Sequence, residues 1–133
     1  MKKIGTLNTQ LSYVIARMGH TDKIVVCDSG FPIPHRAELV DLALTKNIPS
    51  FIDTLKVVHE DLKIEKAIIA KEMEKYNPRI YKIVSALLKG KEIQEVQHSE
   101  FKNICISEEN ISFVRTGEAS PYANVILISG VTF

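Results

Sequence analysis

His20, Asp28 and His98 are the residues of this chain whose types suit proton transfer. An imidazole with an unperturbed pKa of about 6.5 can give or take a proton near neutral pH. A carboxylate can accept two hydroxyl protons. The run Ala119-Ser120-Pro121-Tyr122-Ala123-Asn124 adds a phenol, an amide and the peptide groups around Ala123, all able to bind a polar ligand. Each group also has an ordinary reading. His20 could cap carbonyls at a helix C-terminus, where a cation is favoured. Asp28 could be a turn residue bonded to its own backbone. His98 could be a solvated residue ahead of a helix cap at Ser99. Tyr122 could be a packed loop aromatic, and Asn124 a turn former. His59 shares a helical face with Lys56, Glu60 and Lys63 and reads as solvated, while His35 sits undecided in a proline-flanked loop.

Other chemistries have less behind them. There is no G-x-S-x-G elbow, phosphate loop or G-x-G-x-x-G, each of which would imply a defined reaction class. Two histidines and a carboxylate could form a metal site, yet H-x-H, H-E-x-x-H and C-x-x-C are all missing. Cys27 reads as buried packing, since no histidine stands at a spacing that makes it an evident thiolate partner.

The elements that must position these groups follow from the apolar spacing. Leu7, Leu11, Val14, Ile15 and Met18 predict a helix capped by Asn8 and ended by a left-handed Gly19, with His20 just beyond. Ile24 to Cys27 is a short β-branched run, predicting a strand buried on both faces. Asp28 stands at its carboxyl end, and Pro32 and Pro34 exclude helix and central strand after it. Residues 38–44 predict a strand, although the same letters could make a helix. Pro49 suits the first turn of a helix carrying Phe51, Ile52, Leu55, Val58 and Leu62. Strands are predicted at 66–70, 92–97, 111–114 and 125–128. Helices are predicted from Pro78 to a stop at Gly90, and after a cap at Ser99. The alternation implies an α/β three-layer sandwich with a mainly parallel sheet. Such sheets bind ligands beyond the carboxyl ends of their strands, where Asp28 and His98 fall.

The bulk properties fit this class. A chain of 133 residues points to one domain, 1–133. The 45% hydrophobic and 25% charged fractions are those of an ordinary globule. A net charge of +1 argues against a general nucleic-acid binder. No apolar run is long enough to span a membrane, and MKKIGTLNTQ has no apolar signal core. Cys27 and Cys105 are too few and too far apart for a disulfide framework, and imply reduced thiols in a cytosolic protein.

One pattern runs the length of the chain: MGHTD at 18–22, CDSGFPIP at 27–34, PSF at 49–51, VQHSEFK at 96–102 and RTGEASPYANVILISGV at 115–131. It closely resembles the ribose pyranase and fucose mutarotase family. GHTD with G-x-P-I-P resembles the ribose branch; the fucose branch typically has GHGD and an asparagine–phenylalanine pair after the strand, which this chain lacks. The resemblance implies a cytoplasmic isomerase without cofactor or metal, interconverting the pyranose and furanose forms of D-ribose. It implies His20 as proton donor and sugar contacts from Asp28, His98, Tyr122, Ala123 and Asn124. It implies a homodecamer of two five-membered rings, with sites at subunit boundaries and no nucleic-acid or membrane partner. L-fucose mutarotation and non-catalytic sugar binding stand as the alternatives.

Overall fold

Side chains of consecutive strand residues point to opposite faces, so a strand apolar at every position must be covered twice. The first strand, β1 (Lys23–Cys27), is of this kind, with Ile24, Val25, Val26 and Cys27 all fully buried. A computed structural model, covering residues 1–133, shows both covers. Ile24 and Val26 join a core with Leu11, Val14, Phe51, Leu55, Met73, Ile80 and Val84. Val25 and Cys27 join a second core with Phe31, Phe101, Cys105 and Phe113. The helices α1 (Thr9–Arg17), α2 (Phe51–Asp61), α3 (Glu72–Tyr76) and α4 (Pro78–Leu87) supply the first cover, and α5 (His98–Ser107) the second. The result is the three-layer α/β sandwich that the pattern predicts.

The remaining strands are β2 (Glu38–Asp41), β3 (Ile64–Ala70), β4 (Glu92–Val96), β5 (Ile111–Arg115) and β6 (Val125–Ser129). They form one six-stranded sheet in the order β2-β5-β1-β6-β3-β4. The β2–β5, β5–β1 and β3–β4 pairs are parallel, whereas β6 runs antiparallel to both β1 and β3. The sheet is thus mainly parallel with one reversed central strand. No helix is long and apolar enough to cross a membrane.

Local chemistry sets the helix starts. The Asn8 side chain accepts from Leu11 N at 2.8 Å, and Ser50 Oγ accepts from Asp53 N at 3.1 Å, each satisfying a backbone donor left free in a first turn. Pro78 opens α4 as expected, and Gly90 takes the left-handed conformation with φ +85° after it.

Four expectations need correction. Helix α1 stops at Arg17, and Thr21, with φ 70°, is left-handed where Gly19 was expected to be. The turn is closed instead by Asp22, whose carboxylate accepts from Gly19 N at 2.8 Å. Pro49 lies outside α2, because Ser50 is the capping residue. Helix α5 begins at His98 itself behind Gln97, so Ser99 is inside the helix and His98 is its first residue. Strand β2 ends at Asp41, three residues early, and Leu44 is exposed. The short α3, which no apolar stripe announced, follows β3 directly.

Candidate active site

The reversal of β6 builds the site. Three parallel strands, β1, β3 and β4, end at one edge of the sheet, and antiparallel β6 begins there. Register pairs Val26 with Val125, Ile69 with Val125 and Ala70 with Val96. The residue after β1, the segment before β6 and the helix start after β4 therefore meet: Asp28, Tyr122-Ala123-Asn124 and His98.

Asp28 and Asn124 are locked face to face. Asn124 Nδ2 donates to Asp28 Oδ2 at 2.9 Å, and Asp28 N donates to Asn124 Oδ1 at 2.9 Å. Gly30 N donates to the other carboxylate oxygen, Oδ1, at 2.9 Å. Asn124 is only 1% exposed, and the reciprocal pairing satisfies a buried amide that would otherwise be costly. Burial pushes the Asp28 carboxyl above the usual carboxylate range, against the opposing pull of Asn124, Gly30 and His98. A carboxylate held this way is a better proton acceptor near neutrality than a solvated one.

His98 is fixed from behind. Its backbone N–H donates to both Glu72 carboxylate oxygens, at 3.1 and 2.9 Å. Its ring stands edge-on to Tyr122 with centroids 5.0 Å apart, and near Phe31 at 6.5 Å and Phe101 at 6.3 Å. Burial, aided by Lys102, lowers its pKa, opposed by Glu72 and Asp28. Nδ1 of His98 is buried without a hydrogen-bond partner. Either ring nitrogen can carry the proton of the neutral imidazole, so the ring can donate to or accept from a ligand.

Tyr122 reaches the site through a left-handed backbone, φ 58°. Its loop is braced by Asn77, whose Nδ2 donates to Ser120 Oγ and Pro121 O, each at 2.8 Å. Ser120 Oγ donates to Glu118 Oε1 at 2.7 Å, and Phe51 N donates to Glu118 Oε2 at 3.1 Å, tying the loop to the start of α2. Ala123 is fully buried in the main core, so only its peptide groups can serve a ligand. An open depression lined by Asp28, Ser29, Gly30 and residues 118–121 leads to the carboxylate.

His20 is not part of this cluster. It precedes β1 while Asp28 follows it, so the full strand, about 17 Å, separates them. Thr21 N donates to Ser129 O at 2.9 Å, placing His20 where β6 ends and β3 begins. Its Nε2 lies 2.9 Å from Glu65 Oε2. The structure thus unites Asp28, His98, Tyr122, Ala123 and Asn124, and sets His20 at the opposite edge. Another depression, at that far edge, holds the Arg17–Glu38 ion pair at 3.0 Å and not a converging set of proton-transfer groups.

Sequence reasoning missed Phe31, Glu72, Asn77 and Glu118. The strand-end rule applied to β3 would have found Glu72, two residues past Ala70. Nothing local marks Asn77 or Glu118. Neither thiol is a nucleophile: burial raises Cys27 strongly and pushes Cys105 up to about 12.

Comparison with known proteins finds relatives that match along the whole chain. Residues 1–132 match the model of the RbsD / FucU transport protein family. This chain belongs to that family. It is 51% identical to a D-ribose pyranase of Laribacter hongkongensis and 50% identical to one of Coprothermobacter proteolyticus, in both cases over the full length of both chains. Among solved structures it matches Bacillus subtilis RbsD complexed with D-ribose, at 41% identity and a TM-score of 0.94 over 100% of both chains. A Streptococcus pneumoniae fucose mutarotase complexed with L-fucose shares the RbsD/FucU fold, at 23% identity and a TM-score of 0.79 over 96% of this chain and 95% of that one.

Proposed function

We propose that this chain is a D-ribose pyranase, interconverting the pyranose and furanose forms of D-ribose by general acid–base ring opening and closure. The observation that carries the reading is the full-length match to pyranases and to a ribose-bound RbsD, in a chain whose matching strand ends hold a carboxylate, an amide, a phenol and an imidazole together.

The reaction needs two proton transfers and no redox step. Asp28 takes the proton of the anomeric hydroxyl, whose electrons form the aldehyde C=O as the C1–ring-oxygen bond breaks. His20 delivers a proton to the departing ring oxygen. For closure a different hydroxyl attacks C1, gives its proton to His20, and the aldehyde oxygen recovers a proton from Asp28. Both groups return to their starting state. Tyr122 and His98 hold hydroxyls, and Asn124 contributes beside the carboxylate that it braces. Such proton transfer contributes about 10² to 10⁴ in rate, enough for an intrinsically easy reaction.

His20 must then come from another copy. The reading therefore includes assembly, as a homodecamer of two pentameric rings with each site completed across a boundary between copies. Large apolar side chains left exposed on the isolated chain, among them Leu7, Leu44, Ile106 and Phe133, support it, since such groups cover readily against a second copy. Two free, buried cysteines support a cytoplasmic setting. Exchange NMR on D-ribose tests the activity: addition of the protein should speed pyranose–furanose exchange, and an unchanged rate would reject it. Faster exchange on L-fucose than on D-ribose would favour the mutarotase alternative, and ribose binding without faster exchange a sugar-binding protein.

A further inference from the structure

We infer that Glu65 is a positioning residue for His20: it holds Nε2–H and leaves Nδ1 as the atom that exchanges protons with the sugar. The inference deepens the pyranase reading and rests on it.

The pair is built from three chain segments. Glu65 is the second residue of β3, and His20 stands in the turn that leads into β1. Thr21 N donates to Ser129 O at 2.9 Å, and Gly130 N donates to Lys63 O at 2.8 Å, so the end of β6 pins both neighbours. A Cβ at Gly130 would stand 3.0 Å from Glu65 Cβ and 3.4 Å from Oε2. The bare glycine thus lets the Glu65 stem lie along the chain and turn its carboxylate onto the imidazole, 2.9 Å from Nε2.

The chemistry follows from donor and acceptor identity. An ionised carboxylate can only accept, so the nitrogen facing it carries the hydrogen. In neutral His20 that puts the lone pair on Nδ1, the form that takes a proton from a sugar hydroxyl. In the imidazolium Nδ1–H is the donor to the ring oxygen. Glu65 keeps the same nitrogen occupied through both halves of the cycle, so His20 need not flip or change tautomer between them. Stability does not explain the pair. Its side chains are 51% and 55% exposed, and ion pairs this open contribute little.

Glu65→Gln tests this, with exchange NMR on D-ribose beside wild type and His20→Ala. Glu65→Gln is expected to lower kcat about tenfold, part of what general acid–base catalysis supplies, with KM and assembly mass unchanged. Solid-state ¹⁵N spectra of histidine-labelled protein, with His20 assigned by difference from His20→Ala, should show one Nε2–H tautomer in wild type and a mixture in the variant. A kcat within twofold of wild type would overturn the role of Glu65. So would a dominant Nδ1–H tautomer in wild-type protein, a reading that needs no variant to fold. If His20→Ala itself keeps the wild-type rate, the pyranase mechanism fails. If His20→Ala loses the rate and Glu65→Gln keeps it, only this inference does.

Discussion

The two edges of the sheet are built differently. At the carboxyl edge, Asp28 and Asn124 bond reciprocally, His98 is anchored by Glu72, and the Tyr122 loop is braced through Asn77, Ser120 and Glu118. These groups are held in place by other parts of the same chain, while the His98 ring nitrogen Nδ1 has no partner in it. At the amino edge, His20 and its partner Glu65 stand half in solvent. On the proposed reading, the carboxyl edge is a sugar-binding surface preorganised within one chain, and the amino edge presents a proton donor outward for another copy to use. Binding groups gain from rigidity within one chain, because their geometry must exist before the ligand arrives. A donor carried to a boundary is ordered when the boundary closes.

That contrast predicts unequal consequences. His20→Ala should slow exchange by about 10² or more, the scale of lost acid–base catalysis, while far-UV circular dichroism stays that of wild type, because the side chain is half exposed on the single chain. A loss of secondary structure in that variant would mean that the amino edge is structural. Asp28→Asn should abolish proton acceptance and slow exchange on a similar scale, with ribose affinity reduced in calorimetry. Wild-type rates in that variant would move the base to another group.

Smaller effects sharpen the picture of the carboxyl edge. Asn124 holds the Asp28 pKa down against burial. Asn124→Ala removes that hydrogen bond, so the Asp28 pKa rises further. The base form is lost as pH falls through that pKa, and the acid limb of the pH–rate profile should therefore move to higher pH. An acid limb that stays put would mean that Asp28 is not the base. Gly117→Ala should act on stability, because a Cβ there would collide with the Thr45 and Ile48 backbone. A loss of about 1–3 kcal/mol in denaturant unfolding is expected for such overpacking. The depressed His98 pKa gives the mildest signature. Below the unfolded histidine pKa of about 6.5 the unfolded chain takes up a proton that the folded one resists. Stability should decline as pH falls through that window, and less so in His98→Gln.

Much of this was legible in the residues. The β-branched run 24–27 announced a strand covered on both faces, and the strand-end rule put Asp28 and His98 on one edge. The direction of β6 was not legible, since Val-Ile-Leu-Ile is equally apolar read either way, and only its pairing with β1 and β3 reverses it. That reversal brings Asn124 to Asp28. The start of α5 was misplaced by two residues because Ser99 is a better intrinsic cap than Gln97, and the Glu72 carboxylate, from elsewhere in the chain, satisfies the His98 amide instead. His20 and Asp28 look like neighbours in sequence, eight residues apart. A strand between them makes proximity within one chain impossible, and neither residue's type carries that information.

Subunit complementation tests the central claim most directly. His20→Ala and Asp28→Asn chains, each inactive alone, are unfolded, mixed in equal amounts and refolded together, with the mixed assembly confirmed by native mass spectrometry. If each site takes His20 from one copy and Asp28 from its neighbour, about a quarter of the sites in a random head-to-tail assembly regain both groups, and ribose exchange should return to that fraction of wild type. Mixed assemblies that form and stay inactive would contradict a site shared between copies.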